Sequence, residues 1–297
     1  MTPASRLAII LINWNSAGDT LRALDMISGW ERQNPGIIVV DNGSEDNDLT
    51  RLREAGGGFR LIRNDSNLGY AGGNNAGIAL ALELGYPFIM LLNSDAKVSE
   101  ECVIRLQKSM EDSPGTGVAG PLLMEHGRIH SGGRNIGIHS NTRILVDRED
   151  TVPVLRPVDY VPGTLLIARR EAFETAGLLE EEYFFSGEIA DFCTRVRARG
   201  LGCAVYTGCT ANHAPDTGSE VRDTLYNYYT LRNRFLFVKR NFRYSRGFLA
   251  LRWVVGGVIR IALATAGGKK ERARAFRLGL KDGVTGRFGD RNDLFFG

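Results

Sequence analysis

The strongest fold signal in this chain is Phe88-Ile89-Met90-Leu91-Leu92-Asn93-Ser94-Asp95. Its five apolar residues follow the turn signal Gly85-Tyr86-Pro87 and are too few for a helix, so they predict a strand that is buried on both faces. Ligands of open α/β sheets bind beyond the carboxyl ends of the strands. We therefore expect Asn93 and Asp95 to meet a ligand.

The spacing of Asn93 and Asp95 indicates what that ligand carries. Side chains alternate along an extended chain, so both side chains are expected to face the same way. Two oxygen-bearing side chains placed in this manner suit a hard divalent cation that holds a diphosphate. The residues alone leave open the alternative that Asp95 only caps the next helix.

Two earlier apolar runs repeat this arrangement. Leu7–Ile12 is followed by Asn13-Trp14-Asn15-Ser16, and Ile37–Val40 is followed by Asp41-Asn42-Gly43-Ser44. Strands that alternate with helical segments predict a mostly parallel sheet with right-handed crossovers. Each polar cluster alone would indicate only turn chemistry, but three clusters at successive carboxyl ends favour a binding site.

A glycine- and asparagine-rich stretch runs from Arg63 to Gly77 and includes Asn67, Gly69 and Gly72. Its glycines allow close backbone approach and leave N–H groups free near a helix N-terminus, which suits an anionic or sugar ligand. The dinucleotide-binding fingerprint would directly follow the first strand, whereas this stretch comes later. An NAD-dependent dehydrogenase is therefore disfavoured.

The composition is that of a globular protein. The 297 residues are 43% hydrophobic and 24% charged, which is enough for one large domain, or for one and a half. No secretory signal is recognisable at the N-terminus, so we expect a cytoplasmic protein. The four cysteines form no CxxC pair, which predicts reduced thiols and argues against a zinc site or a disulfide framework.

Four motifs in order resemble the signature of family 2 glycosyltransferases with the GT-A fold, and most closely the rhamnosyltransferase-like subgroup. They are Asn13-Trp14-Asn15, Val39 to Ser44, Asn67 to Gly77 and Leu91 to Asp95. The resemblance implies an α/β, GT-A-like fold, in which a mostly parallel central sheet is flanked by helices and followed by a helical C-terminal extension. It also implies a nucleotide-sugar site.

The resemblance implies roles for individual residues. Asp41 would pair with a pyrimidine base, Trp14 would stand beside that base where the family commonly has Tyr, and Asp95 would hold Mg²⁺ or Mn²⁺ on the diphosphate. Asn93 replaces the first carboxylate of the family's Asp-x-Asp motif, so metal affinity is expected to be weaker, although we still expect a metal. The implied nucleotide-sugar-binding set is Asn13, Trp14, Asn15, Asp41, Asn67, Gly69, Gly72, Asn93 and Gly163.

The second half of the chain resembles the acceptor side of the family. Gly163, in the segment 158–170, would give room for the sugar. Where the family shows Glu-Asp-x-Asp, this chain has Glu188 and Asp191, and Ile189 replaces the acid that often serves as base. We favour Glu188 as catalytic base in a single, inverting displacement, with Asp191 second. The alternative is that Glu188 is only an N-terminal helix charge and that Asp191 pairs with Arg195.

The histidines are expected to have two different roles. In the resembling family a His at the place of His213 completes the metal or diphosphate site, so His213 is the second expected metal ligand, with a structural role as the alternative. His130 and His139 lie in a polar segment, 125–157, and are expected to be solvent-facing. That segment is the expected place of acceptor contacts.

The tail is basic. From Arg232 to the C-terminus the sequence holds 16 Lys and Arg against 4 Asp and Glu, so the total of +3 leaves −9 for the rest. Residues 247–266 are apolar except for Arg252 and Arg260, which favours a helix in the plane of a membrane surface, continued by the basic residues up to 281. A core or dimer helix, and hence a homo-oligomer, is the alternative. No nucleic-acid module is recognisable, so no nucleic-acid partner is expected.

Together these signals predict a catalytic domain over residues 1–220 and a basic helical extension over 221–297. The predicted activity is transfer of a sugar, with rhamnose as candidate, from a dTDP- or UDP-linked donor. The acceptor would be a glycan or a lipid-linked acceptor of cell-envelope polysaccharide synthesis, at the inner face of the membrane if the tail binds there. The alternative is a catalytically silent subunit that binds a nucleotide sugar or a glycan.

Overall fold

The chain forms two compact units in a computed structural model that describes residues 5–136, 141–143, 152–213 and 220–295. We call them the sheet unit and the helical unit. The sheet unit comprises residues 1–68, 72–179 and 192–215, and the helical unit comprises residues 69–71, 180–191 and 216–297.

The sheet unit is built on one large sheet and one small β pair. In chain order the strands are β1 Leu7–Asn13, β2 Gly36–Asn42, β3 Phe59–Asn64, β4 Phe88–Leu92, β5 Ala96–Val98, β6 Thr116–Glu125, β7 Arg128–Ser131, β8 Arg134–Ile136, β9 Asn141–Arg143, β10 Leu155–Pro157, β11 Leu165–Arg169 and β12 Gly202–His213. The large sheet has the order β10-β12-β6-β11-β4-β1-β2-β3. Strand β5 pairs with β12, β7 pairs with β6, and β8 pairs with β9.

Helices connect these strands. They are α1 Ala17–Ser28, α2 Asp46–Glu54, α3 Gly69–Glu83, α4 Glu100–Glu111, α5 Arg170–Ala176 and α6 Glu188–Ala198. The Ser99 hydroxyl accepts a hydrogen bond from the Cys102 N–H and so caps α4. Asp95 is therefore not the cap of this helix. Helices α3 and α6 each begin with residues of the helical unit and continue in the sheet unit.

Strand β4 is buried at every residue, as its apolar run predicted. It pairs in parallel with β1, which pairs in parallel with β2, so the first strands bring their carboxyl ends to one edge. Strand β11 inserts antiparallel between β4 and β6. The predicted α/β fold with a central sheet flanked by helices is confirmed, and β11 makes that sheet mixed.

Two local expectations are wrong. Residues 93–95 do not continue the strand, because the Ala96 N–H bonds to the Asn93 carbonyl and closes a turn between β4 and β5. Strand alternation therefore does not apply to Asn93 and Asp95. Cys102 and Cys209 are joined by a disulfide, because the packing of α4 against β12 brings two residues 107 positions apart to a Cα separation of 5.3 Å. Cys193 and Cys203 are free and buried.

The helical unit contains α7 Glu220–Asn241, α8 Arg246–Ala266 and α9 Lys270–Thr285, with short 3₁₀ turns at Glu181–Tyr183 and Asn292–Leu294. Small residues let these helices approach closely. A Cβ at Gly279 would lie 2.7 Å from the Tyr228 carbonyl oxygen, and one at Gly283 would lie 2.4 Å from the Phe235 ring. The shared core of the three helices is Leu231, Phe235, Ala264, Ala273 and Phe276.

Candidate active site

Asn13 is the hub of a buried polar network at the carboxyl ends of β1 and β2. The parallel register sets Asn13 beside Asp41. The Asn13 amide contacts Asp41 Oδ1 at 3.1 Å, Ser44 Oγ at 3.0 Å and Asp48 Oδ2 at 2.7 Å, and its carbonyl oxygen accepts from the Thr20 hydroxyl at 2.9 Å. An amide has only two N–H groups, so three acceptors share them. The network holds Asp41 in place.

Asp41 keeps one oxygen for something else. Its side chain is fully buried, and Oδ2 has no hydrogen-bond partner among the described residues. An unsatisfied buried acceptor is costly and rare, so it needs an explanation. A donor N–H of a bound ligand would satisfy it.

Sequence reasoning missed Ser44 and Asp48 as members of this network. The Asp48 carboxylate accepts from the Ala17 N–H at 2.9 Å at the start of α1, and the Ser44 hydroxyl accepts from the Asn15 N–H at 2.9 Å. The acidic first turn of α2 is visible in the sequence, but its partner 31 residues away is not. Trp14 is 44% exposed, which leaves an aromatic surface available at this edge.

The asparagine- and glycine-rich stretch is used largely by the protein itself. Asn42 donates to Asn67 Oδ1 at 3.0 Å and accepts from the Leu68 N–H at 3.2 Å. In the helical unit Gly69 has φ +70°, and a Cβ there would lie 2.2 Å from the Phe184 carbonyl oxygen. A Cβ at Gly72 would lie 2.6 Å from the Leu68 Cβ. Ligand contacts by these glycines and Asn67 stay a prediction.

Asp95 and His213 are brought together by the pairing of β5 with β12. The antiparallel register puts His213 opposite Ala96, one residue after Asp95. His213 Nε2 lies 3.3 Å from Asp95 Oδ2. The two groups attract each other when His213 is protonated. Nε2 and Asp95 Oδ1 are both buried and make no hydrogen bond within the described residues.

Glu125 and His130 continue this cluster. Glu125 Oε1 lies 2.9 Å from His213 Nδ1, and Glu125 Oε2 lies 2.7 Å from His130 Nδ1. Burial acts to lower the pKa of His213, but Asp95 and Glu125 outweigh it and raise that pKa. The expectation that His130 faces solvent is wrong, because the β6–β7 hairpin turns it onto Glu125. His139 lies outside the described residues.

The donor set fits a divalent cation that the substrate helps to bind. Asp95 Oδ1 would supply a carboxylate oxygen and His213 Nε2 an imidazole nitrogen; both atoms are buried and make no hydrogen bond among the described residues, although Nε2 lies 3.3 Å from the other oxygen of Asp95. Within the described ranges no three His, Cys, Asp or Glu side chains form a metal site by themselves. Two protein ligands leave the other coordination positions to phosphate oxygens and water, as is common for Mg²⁺.

Asn93 and Gly163 lie at the next strand end. The Asn93 N–H donates to the Thr164 carbonyl at 2.9 Å, and β11 begins directly after Thr164, with Leu165 opposite Leu92. This pairing puts Gly163 close to the end of β4. It assembles both predicted residues at the edge that also carries Asp95.

Glu188 is a buried acid, and one of its two carboxyl oxygens lacks a hydrogen bond among the described residues. It is the first residue of α6, and its side chain is 6% exposed. Its Oε2 has no hydrogen-bond partner among the described residues. Burial raises the pKa of Glu188 to about 7; a hydrogen bond with its own backbone opposes the rise, and the charge of Asp191 adds to it. Such a carboxyl can take up and release a proton near neutral pH.

Asp191 is fully buried but differs in its surroundings. Its Oδ1 accepts from the Tyr183 hydroxyl at 3.3 Å, Arg240 Nε at 3.3 Å and Asn241 Nδ2 at 2.9 Å. The charge of Asp191 is thus compensated from α7. Among the two acids that the sequence singled out, only Glu188 leaves an oxygen without a partner.

The loop before Glu188 is held in an unusual conformation by α7. Phe184 and Ser186 have φ of +59° and +71°, a region that residues other than glycine seldom occupy. The Asn233 amide lies 3.0 Å, 2.8 Å and 2.6 Å from the carbonyl oxygens of Tyr183, Phe185 and Ser186. We call this contact the Asn233 clasp. Adjacent to it, buried Arg232 donates to the Tyr183 carbonyl at 2.9 Å.

The sequence matches the family described as Glycosyl transferase family 2 over residues 8–177. It is 28% identical to the low-salt glycan biosynthesis hexosyltransferase Agl10 of Haloferax volcanii, over 77% of this chain and 74% of that protein. It is 25% identical to the dTDP-rhamnosyl transferase RfbF of Shigella flexneri, over 95% and 96%. It is 24% identical to an N-acetylglucosaminyl-diphospho-decaprenol L-rhamnosyltransferase of Mycobacterium tuberculosis, over 84% and 89%.

Two solved structures share the fold. One is the mannosyltransferase PcManGT from Pyrobaculum calidifontis in complex with GDP-Man and Mn²⁺, with a TM-score of 0.63 and 14% identity over 96% of this chain and 89% of that one. The other is GalNAc-T7 with UDP, GalNAc and Mn²⁺, with a TM-score of 0.64 and 14% identity over 79% and 48%. These likenesses confirm the predicted GT-A-like fold.

Proposed function

Because the chain belongs to glycosyl transferase family 2, we propose that it transfers a hexose, with rhamnose as first candidate, from a pyrimidine nucleoside diphosphate to a glycan or lipid-linked acceptor. The observation that carries the proposal is Asp95 Oδ1, a buried oxygen without a hydrogen bond among the described residues, beside His213, whose Nε2 lies 3.3 Å from Asp95 Oδ2. Relatives named as rhamnosyl and hexosyl transferases support the choice of sugar.

Asp41 recognises the base of the donor. Its unpaired Oδ2 accepts the ring N–H of a pyrimidine such as thymine or uracil, while Asn13 holds its other oxygen. A dTDP-linked sugar is the first donor to test, because RfbF is named as a dTDP-rhamnosyl transferase. A UDP-linked sugar offers the same ring N–H and is the second.

Asp95 and His213 would hold Mg²⁺ or Mn²⁺. When bound, the cation would neutralise charge on the diphosphate that leaves. Glu125 fixes the His213 ring through Nδ1, which directs Nε2 toward Asp95. Asn93 has no charge to add, so Asp95 supplies the carboxylate at this strand end.

Glu188 is the base. It takes the proton of the acceptor hydroxyl while that oxygen bonds to the anomeric carbon and the bond from the sugar to the diphosphate breaks. One displacement inverts the configuration at the anomeric carbon. Its pKa of about 7 matches this role at neutral pH. Asp191 stabilises the helix start through Tyr183, Arg240 and Asn241 and takes no proton.

The test is thermal stabilisation by dTDP- and UDP-linked sugars with and without Mn²⁺ or Mg²⁺, followed by product analysis with a lipid-linked acceptor. A ligand that binds only the folded state raises the melting temperature. We expect a metal-dependent shift that Asp41→Ala and Asp95→Ala abolish and that Asp25→Asn, on an exposed face of α1, retains. Binding without any turnover would instead favour the silent nucleotide-sugar-binding subunit, and no shift with any donor would contradict both functions.

A further inference from the structure

Helix α8 presents a continuous apolar face to solvent. Between 51% and 68% of each of six large side chains is exposed, and their spacing of three and four residues puts them on one side of the helix. They are Phe248, Leu251, Val255, Val258, Ile259 and Leu263. We call them the α8 stripe. Soluble proteins rarely leave so long an apolar surface uncovered, so the stripe indicates a partner.

The opposite side of α8 packs inside the helical unit. Leu249, Gly257 and Ala264 are its buried residues. A Cβ on Gly257 would lie 3.1 Å from Leu280 of α9, so the two helices touch closely at this glycine. By length and composition α8 could cross a membrane. Crossing would separate it from α7 and α9, whereas lying in the plane of a surface preserves this packing.

Two guanidinium groups border the α8 stripe. Arg252 and Arg260 line a groove of about 460 Å³ together with Phe248, Val255 and Ile259 of the stripe. Arg252 Nε is buried and has no hydrogen-bond partner within the described residues. Arg260 donates to the Gly256 carbonyl of its own helix at 3.3 Å, and burial lowers its pKa. The Arg252 guanidinium lies over the Trp253 ring at 5.4 Å, and neither arginine forms an ion pair with a described carboxylate, so neither positive charge is balanced by an acid there.

The sequence around α8 is strongly basic. Residues 243–281 hold ten Lys and Arg and a single acid, Glu271. Exposed basic residues stand at both ends of α8, namely Arg243, Arg246, Lys269 and Lys270. A second copy of this chain would bring the same charge and would be repelled. An anionic surface with an apolar layer beneath it complements both the charge and the stripe.

We propose that α8 lies in the plane of an anionic phospholipid bilayer, with its stripe among the upper acyl chains and Arg252 and Arg260 at the lipid phosphates. Long arginine side chains can reach from an apolar surface to the phosphate level. This binding does not depend on the transferase activity, so it can hold even if the proposed reaction fails.

The test is flotation of the full chain with vesicles of phosphatidylcholine alone or with about one third phosphatidylglycerol. We expect binding to the anionic vesicles, reduced about tenfold or more by Val255→Glu, because this change removes an apolar side chain from the lipid and adds a repelled charge. Val284→Glu is the matched control, because Val284 is 59% exposed on α9 outside the stripe. Arg252→Gln and Arg260→Gln should each weaken binding to anionic vesicles about fivefold and binding to neutral vesicles far less.

Three outcomes would overturn the proposal. The first is that the wild-type chain does not float with either vesicle. The second is that Val255→Glu and Val284→Glu bind equally, which would mean that charge alone attracts the chain. The third is a lipid-free dimer that Val255→Glu dissociates, which would assign the stripe to a second copy. Far-ultraviolet circular dichroism and melting temperature establish that each variant is folded before it is scored.

Discussion

Asp95 in the sheet unit and Glu188 in the helical unit are both acids with a buried, unpartnered oxygen, but their neighbours differ in charge. Asp95 faces the imidazole of His213, whose pKa is raised. The nearest charge that acts on Glu188 is that of Asp191, and it has the same sign. Asp95 therefore lies beside a group that tends to be positively charged, whereas Glu188 lies where burial and a like charge favour its protonated form. In the proposed function the same chemical group would bind a cation in one place and transfer a proton in the other.

The role of Glu188 is tested most directly by Glu188→Gln, which keeps the shape of the side chain and removes the base. We expect turnover to fall about 10²- to 10⁴-fold. Stabilisation by the donor and metal should be unchanged, because Asp41 and Asp95 are intact. Glu182→Gln, at an exposed position in the preceding turn, is the control and should keep its activity. A Glu188→Gln variant within tenfold of wild type would remove Glu188 from the reaction.

Asp95→Asn tests the other side of the comparison. It preserves size but removes the charge, so the donor should stabilise the variant equally with and without Mn²⁺, and turnover should fall on the order of a hundredfold. Chelation of the metal should reproduce this loss in the wild type and change the variant little. If the variant responds to Mn²⁺ as the wild type does, Asp95 is not a metal ligand.

The pKa of Glu188 also predicts how stability depends on pH. Because the folded state holds the proton up to about pH 7, against 4.5 for the ordinary group, the contribution of Glu188 to wild-type stability falls as pH rises between these values and is constant above them. Glu188→Gln should therefore be more stable than wild type at pH 8 by up to about 3 kcal/mol, and equal to it near pH 4. Denaturant unfolding at both pH values measures the difference. A difference between the two proteins that does not grow as pH rises would contradict a raised pKa of Glu188.

Turnover, unlike the stability contribution of Glu188, should increase with pH. The base must be ionised to act, so the wild-type rate should rise with pH and level above about pH 7. The pH dependence of kcat/KM in buffers with fixed metal and donor measures this. A rate that is flat from pH 5 to 8 would mean that no group with this pKa takes the proton.

The Asn233 clasp gives the smallest expected effect. Asn233→Ala leaves the carbonyl groups of Tyr183, Phe185 and Ser186 with fewer donors, at a cost to the free energy of unfolding of about 1–3 kcal/mol. Because the clasp holds the loop before Glu188, the variant should also lose turnover while donor stabilisation persists. Asn47→Ala, at an exposed position in α2, is the control. Equal loss of donor stabilisation and turnover would mean general unfolding.

The sequence predicted the parts of the molecule that follow from periodicity and strand order. The buried β4 and the meeting of successive strand ends at one edge of the sheet follow from local pattern and parallel register. The approach of His213 to Asp95 was expected only from a family resemblance, because nothing in the residues themselves pairs β5 with β12.

Contacts between side chains that are far apart in the sequence could not be predicted in the same way. Glu125 is 88 residues from His213, and Asp191 is about 50 from Arg240 and Asn241. Each of these residues could form an ion pair or a hydrogen bond with many others, and only the finished packing selects its partner. The same reason explains why spacing rules for cysteine motifs did not reveal the bond between Cys102 and Cys209.

That bond makes residues 102–209 a covalent ring. Asp95 lies seven residues before Cys102, and His213 lies four residues after Cys209, so the two proposed metal ligands are the near neighbours of the point where the ring closes. Measured along the backbone they are far apart, but through the sulfur atoms they share a short tether. A single peptide-bond cut anywhere inside the ring would therefore leave the protein in one piece until a reductant is added, and would leave Asp95 and His213 tethered to each other.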